Sequence, residues 1–384
     1  GLAEEIVGDT LVVAVERWRR DGIPANPGGW LALTARRRAL DRLRRERTYA
    51  EKLRVIERME SSPSGDSSAR LEPDDRLRLI FVCCHPALSP EARVALTLQA
   101  VLGFTTGDIA AAFVTSEAAV AQRLSRARRR IREAGIQYRV PEDDERGERV
   151  AGVLSVLYLA FNEGYLSSRG SVAQRRDLAE DAAWLTAMLV EQLPDEPEAI
   201  GLLALMRLHL ARTDARFDGR EELVLLRDQD RSSWDRARID GAVSLLEHAS
   251  THRQPGPYQL EAAIAACHAE ATSWDATDWV QILVLYDRLM ELAPSPITRL
   301  NRAVATLRVL GPGEALSEVD AVADELDAYH LLHATRGEVL RALGRHEEAR
   351  MAESIALTLT RNPAERSLLE RRMSDRKEAR HGHD

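Results

Sequence analysis

Apolar residues recur every three or four positions along nearly the whole of this 384-residue chain, in a background rich in alanine, leucine and arginine with aromatics at only 5%. That period gathers apolar side chains onto one stripe of a helix and withholds the alternation that a half-buried strand needs, so an all-α fold is expected. The length exceeds one typical domain and predicts two or three cores. No apolar run approaches the ~20 residues of a bilayer-spanning helix. The first residues show no signal-peptide pattern, which points to a soluble, cytoplasmic protein. Cys83, Cys84 and Cys267 are odd in number and lack paired spacing, against both a disulfide framework and a zinc site. Cys83, Cys84 and His85 are adjacent, so on a helix they point about 100° apart and are poorly placed to share one ion. Buried small side chains are expected there, with no metal and no cofactor.

One segment names a ligand. Residues 103–132, GFTTGDIAAAFVTSEAAVAQRLSRARRRIR, read as a helix-turn-helix whose second helix runs into a cluster of arginines. The short helix over residues 106–113 carries Ile109, Ala110 and Phe113 inward, Val114 and Thr115 make the turn, and Ser116 caps the next helix. On that second helix Val120 and Leu124 lie four apart and face the first, while Glu117, Ala118, Ala121 and Gln122 point away, where a recognition helix meets base edges. Arg123, Arg126, Arg128, Arg129, Arg130 and Arg132 follow within ten residues. Such a run suits phosphate contacts, which fix register without reading sequence. A helical hairpin with a solvated basic face accounts for the same residues without DNA.

The formal net charge of −8 conceals a split: residues 1–140 carry 24 Lys and Arg against 18 Asp and Glu, a net of +6, which leaves −14 on the other 244 residues. Only the first third is a nucleic-acid candidate. Within it, residues 4–18 (EEIVGDTLVVAVERW) are amphipathic, with Ile6, Leu11, Val15 and Trp18 in one apolar stripe. The loop DGIPANPGG follows. Residues 30–47 (WLALTARRRALDRLRRER) then form an arginine-rich helix with Leu33, Ala35, Leu40 and Leu43 toward a core. Residues 61–75, SSPSGDSSARLEPDD, are too polar to fold alone and make a tether. Helices over residues 75–84 and 90–102 lead into the helix-turn-helix.

This order, with its Asn-Pro-x-x-Trp-Leu loop, the helix AxxRALDRLRRER, the tether and LSPEARVALTLQAVLGFTTGDIAAAF, resembles the extracytoplasmic-function sigma factors of bacterial RNA polymerase. More narrowly it is similar to the subgroup with a long C-terminal extension of tetratricopeptide-like repeats, through FNEGY at 161–165, LLALMRLHLAR at 202–212 and LRDQDRSSWD at 226–235. The resemblance implies two small helical sigma modules followed by an α-helical repeat-like domain. Residues 1–58 would be sigma region 2, residues 59–74 a flexible linker, residues 75–140 the region 4 helix-turn-helix, and residues 141–384 the extension, its repeats clearest at 297–364. The implied partners are core RNA polymerase, through its β′ clamp and β flap, and promoter DNA. Glu4, Glu5, Asp9, Val12 and Glu16 would dock on the polymerase. Asn26, Trp30, Arg36, Arg37, Arg42, Arg44 and Arg45 would engage the −10 element, where an opened strand needs a positive groove and a pocket for an unstacked base. Trp30 is equally well explained as a core tryptophan at a helix start. Ser116, Glu117, Ala118, Ala121, Gln122, Arg123, Arg126, Arg129 and Arg130 would meet the −35 element. The chain starts at Gly1 without the family's usual first helix, so an incomplete, loosely packed region is expected over residues 1–50.

In the extension, Ala303, Ala315 and Val322 fall 34 residues before Gly337, Ala349 and Ala356, the period of a tetratricopeptide repeat, and Gly344 also fits a small-residue position. A helix over residues 279–292 completes an earlier, degenerate unit. No nucleophile–base pair, phosphate-binding glycine loop or HExxH occurs, so no enzyme is expected. LRDQDRSSWD reads mainly as a helix–helix corner closed by Asp–Arg pairing and a buried Trp234. Asn162, Glu163, Tyr165, Asp228, Asp230, Arg231 and Trp234 are the candidates for a regulatory contact, and the acidic extension suits an intramolecular contact with the basic modules. Two function classes compete: a sigma factor tuned by its extension, and a helix-turn-helix regulator with a repeat-built sensor that acts without polymerase. A scaffold that binds acidic proteins leaves the recognition-helix pattern unexplained.

Overall fold

The computed structural model describes residues 73–102, 104–113, 115–166, 172–218, 222–360 and 363–381. The polymerase-docking set (Glu4, Glu5, Asp9, Val12, Glu16) and the −10 set (Asn26, Trp30, Arg36, Arg37, Arg42, Arg44, Arg45) lie outside the described residues, as does nearly all of the tether. Among the described residues the chain is all-α: fifteen α-helices, three single-turn 3-10 helices and one isolated bridge between Phe217 and Leu223. It divides into two compact units, Gly1–Val153 and Leu154–Asp384, with the boundary inside α5 (Asp143–Leu166).

In the first unit α1 (Pro73–Cys83) packs on α2 (Pro90–Ala100), and α2 and α3 (Thr106–Ala112) both pack on α4 (Glu117–Glu133). Ser89 starts α2: its hydroxyl accepts from Ala92 N at 3.3 Å, and Pro90 follows at the first helical position, where no N–H is needed. The core is apolar and continuous, built on Leu79, Ile80, Phe81, Leu98, Ile109, Val120 and Leu124. Cys83 and Cys84 lie within it. Burial pushes both thiols up, Cys84 to about 12, so neither is a ready thiolate. From α5, Arg149 donates to the Phe81 carbonyl at 2.8 Å, placing a cation at the electronegative end of α1.

The second unit is built around α7 (Pro197–Leu210), whose sequence PEAIGLLALMRLHL is apolar on nearly every face. A helix of that kind must be covered on all sides, and α6 (Val172–Gln192), α8 (Arg236–Thr251) and α9 (Pro257–Glu270) cover it. The approach to α9 requires a glycine: a Cβ on Gly201 would sit 2.7 Å from Gln259 Cγ and 2.8 Å from Gln259 N. There the Glu198 carboxylate accepts from Tyr258 N at 3.0 Å and Gln259 N at 3.1 Å, satisfying free N–H groups of the first turn of α9.

Beyond α10 (Trp279–Leu292), helices α11 (Pro296–Val309), α12 (Pro312–Asp320), α13 (His330–Ala342), α14 (His346–Leu359) and α15 (Pro363–His381) each pack on the next. The starts of α11 and α13 are 34 residues apart, as are those of α12 and α14. Ala303, Ala315, Val322, Gly337, Ala349 and Ala356 are all buried. Small side chains let the paired helices close up, and a Cβ on Gly337 would lie 2.8 Å from Glu353 Cγ. Gly344 differs: it is exposed and has φ +75, so it ends α13 in the left-handed conformation that glycine tolerates instead of filling a helix contact.

Candidate nucleic-acid interface

The helix-turn-helix is fixed by short local bonds. Thr105 and Asp108 close α3 with a capping box, Asp108 N donating to Thr105 Oγ1 at 3.1 Å and Thr105 N to Asp108 Oδ2 at 2.9 Å. Phe113 ends the helix one residue earlier than its sequence suggests, and Thr115 N donates to Ala110 O at 2.9 Å across the turn. Ser116 then caps α4, accepting from Ala119 N at 3.2 Å. Val120, Leu124 and Ala127 are buried against α2 and α3, and this register leaves Ser116, Glu117, Ala118, Ala121 and Gln122 exposed.

Those outward residues are not equivalent. The Glu117 carboxylate leans back over the start of α3, where a Cβ on Gly107 would meet its Oε1 at 3.0 Å. Ala118, Ala121 and Gln122 are left as the open face. Among the arginines, Arg128 donates to Gln99 Oε1, Arg130 to Ala87 O at 3.4 Å, and Arg129 pairs with Glu133 at 3.5 Å. Arg123, half-buried, and the exposed Arg126 and Arg132 have no hydrogen bond or ion pair with any described residue. A rise of about 1.5 Å per residue places Arg132 about 15 Å beyond Gln122, more than the ~12 Å width of a major groove. The first turns of α4 therefore suit a groove, and the distal arginines suit the phosphates at its edge.

Comparison with known proteins agrees. An uncharacterized protein of Rhizobium meliloti (strain 1021) is 41% identical over 369 residues, 95% of this chain and 87% of that protein. The chain belongs to its family. Within it, residues 78–131 match the family model "Sigma-70, region 4", which spans α1 to α4 and supports an RNA polymerase sigma factor family. Region 4 gives the chain sigma-factor-like DNA-binding transcription regulation. Residues 149–250 match "Family of unknown function (DUF6596)", which covers most of α5 to α8. No solved structure matches the chain. No described helix is long and apolar enough to cross a membrane.

The candidates outside region 4 fall into two groups. Asp228 is exposed beside Arg227 at 3.5 Å, and Asp230 accepts from Ser232 N at 2.9 Å and Ser232 Oγ at 2.7 Å, bonds that hold its carboxyl below the usual range. Both serve local turns. Asn162, half-buried, hydrogen-bonds the Tyr158 side chain, and Glu163 is half-buried one residue on. Tyr165 stacks on the buried Phe161 with centroids 5.5 Å apart. Trp234 is buried, with the Arg231 guanidinium 4.8 Å from its ring. The Asp–Arg pair in its segment is Arg227 with Asp228, while Arg231 donates to Ala271 O at 2.8 Å and to His268 O, because the free carbonyls at the end of α9 come within reach. Sequence patterning missed His209, Arg212, Arg216 and His268 as companions of this cluster, since nothing local marks residues that meet only when α5, α7 and α9 end together.

Proposed function

We propose that the protein is a sigma factor that recruits core RNA polymerase to promoters with two recognition elements and that its C-terminal helical repeats regulate this activity. The observation that carries it is the surface of α4 on region 4: an open face of Ala118, Ala121 and Gln122 followed by the exposed Arg126 and Arg132, which make no hydrogen bond or ion pair with any described residue. That order matches the needs of a duplex, base edges first and phosphates at the flank. The −35 element would be met by Ser116, Ala118, Ala121, Gln122, Arg123, Arg126, Arg129 and Arg130, with Arg132 on a flanking phosphate and Glu117 oriented toward α3. Residues 1–58 would dock on the polymerase clamp and open the −10 element. The 34-residue spacing of α11/α12 and α13/α14 supports a tetratricopeptide-like arrangement of the extension.

Run-off transcription with purified core polymerase and the full chain tests this. A promoter-dependent product that requires the protein is expected. No product, with duplex binding retained, would replace the proposal by a helix-turn-helix regulator that acts without being a polymerase subunit.

A further inference from the structure

The carboxyl ends of α5, α7 and α9 meet in the second unit around a set of buried donors. Tyr165, at the end of α5, lies 5.1 Å from the His209 ring near the end of α7. Arg212 follows α7 and reaches His209 Nδ1 at 3.0 Å. The 3-10 turn Thr213–Ala215 packs on the turn Arg231–Ser233, and Arg231 reaches the end of α9 at His268 O. Capping of helix ends explains part of this cluster: Arg216 donates to Tyr165 O, Arg231 Nη1 to His268 O and Ala271 O, and Arg236 Nη1 to Ala269 O at 2.8 Å.

It leaves the rest unexplained. Arg231 Nη2, Trp234 Nε1, His268 Nδ1, Thr213 Oγ1 and Tyr165 Oη are buried with no hydrogen-bond partner among the described residues. Neither Arg212 nor Arg231 has a carboxylate within ion-pair distance among the described residues. Burial and then the Arg212 charge draw Arg231 below the usual guanidinium range, and burial with both arginines draws His268 down to about 4. Arg212 and Arg231 are half-buried, and cations drawn out of water are ordinarily paired, as buried donors are ordinarily bonded, because each costs free energy otherwise. Two mutually repelling guanidiniums beside N–H and O–H donors make a positive, donor-rich cluster, and the chemistry complementary to it is a multiply accepting anion.

We propose that Arg212, Arg231, Trp234 and His268 bind a small oxyanion, the phosphate or carboxylate group of a diffusible ligand, where α5, α7 and α9 end. Arg212 and Arg231 supply the charge. Trp234, Tyr165 and Thr213 add hydrogen bonds that an anion can accept and a chloride ion satisfies poorly. The site lies wholly in the second unit, so its failure leaves the promoter proposal untouched.

Isothermal titration of the full chain with inorganic phosphate, with succinate, and with sodium chloride at matched ionic strength tests the proposal. Saturable binding of one equivalent of phosphate or of succinate is expected, and which of the two binds names the source. Arg212→Gln should weaken it about tenfold or more, while Arg366→Gln, on an exposed cation paired with Glu370, should leave it unchanged. In the unaltered protein, phosphate or succinate should shift the His268 ring resonance, assigned by its loss in His268→Gln, so the result does not depend on a variant folding. Binding no stronger than chloride, an Arg212→Gln titration equal to wild type, or an unmoved His268 resonance would each overturn the site.

Discussion

The division of the α4 arginines can be measured. Arg126 and Arg132 are exposed without a partner among the described residues, whereas Arg128 and Arg130 are bonded to Gln99 and to Ala87 O. A cation that neutralises a phosphate releases condensed counterions, and each such contact contributes about −0.9 to the slope of log K against log salt. Replacing both Arg126 and Arg132 by Gln should therefore make the slope shallower by about 1.8. Over a fourfold rise in salt, from about 50 to about 200 mM, the ratio of wild-type to variant affinity should fall by about 12-fold. Replacing Arg128 and Arg130 removes the same formal charge, but those side chains must first leave their protein acceptors, so a slope change under about 1 is expected. Fluorescence anisotropy on a duplex selected from a randomised library, with circular dichroism to confirm folding, gives both slopes. Equal slope changes for the two double variants would show that the intramolecular bonds do not partition these arginines, and the division would fall.

Three further outcomes follow from the same geometry. Gln122→Ala should relax base preference at one position by about 1–3 kcal/mol, read by selection from a randomised duplex, with little change in salt slope. Leu124→Ala should cost about 2–5 kcal/mol in urea denaturation, because Leu124 is only 2% exposed between α2, α3 and α4; a loss well below this range would mean that the site collapses around the cavity. His268, held neutral with its pKa near 4 against about 6.5 unfolded, contributes stability that is fully present above pH ~6.5 and lost as pH falls toward 4, since the unfolded chain then binds the extra proton. His268→Gln should flatten that acid limb in thermal melts; an unchanged limb would refute the assignment.

The elements that were legible in the sequence are those whose signals are local. The helix read at residues 279–292 is α10, Trp279–Leu292, and Ser116 caps α4 as its position before an apolar period implies. Val120 and Leu124 are buried because four residues is about one helical turn. Partnering was not legible, because it is decided by segments far apart in the chain. Arg128 meets Gln99 across 29 residues, Arg130 meets Ala87 across 43, and Arg231 meets Ala271 across 40. A hydrophobic period states which face of a helix is inside, and it says nothing about which carbonyl ends up opposite a given guanidinium. The segment LRDQDRSSWD shows the limit: its Asp–Arg pairing is local, Arg227 with Asp228, whereas the acceptors of Arg231 lie at the end of α9.

The same distinction separates the two sites. In region 4 the groups proposed to face DNA lie on one helix, so their order along the chain is their order in space, and the proposed reading residues ahead of gripping residues are visible in the sequence itself. Around Tyr165, Arg212, Arg231 and His268 the groups come from the ends of three helices and two turns, and no pattern within any one of them implies the others. What marks that site is a surplus of donors, and of cations with no carboxylate beside them among the described residues, and such a surplus is defined only once the neighbours are in place. An anion that fills it would join the ends of α5, α7 and α9 through one centre, so its binding should raise the stability of the second unit by mass action without altering the helix-turn-helix.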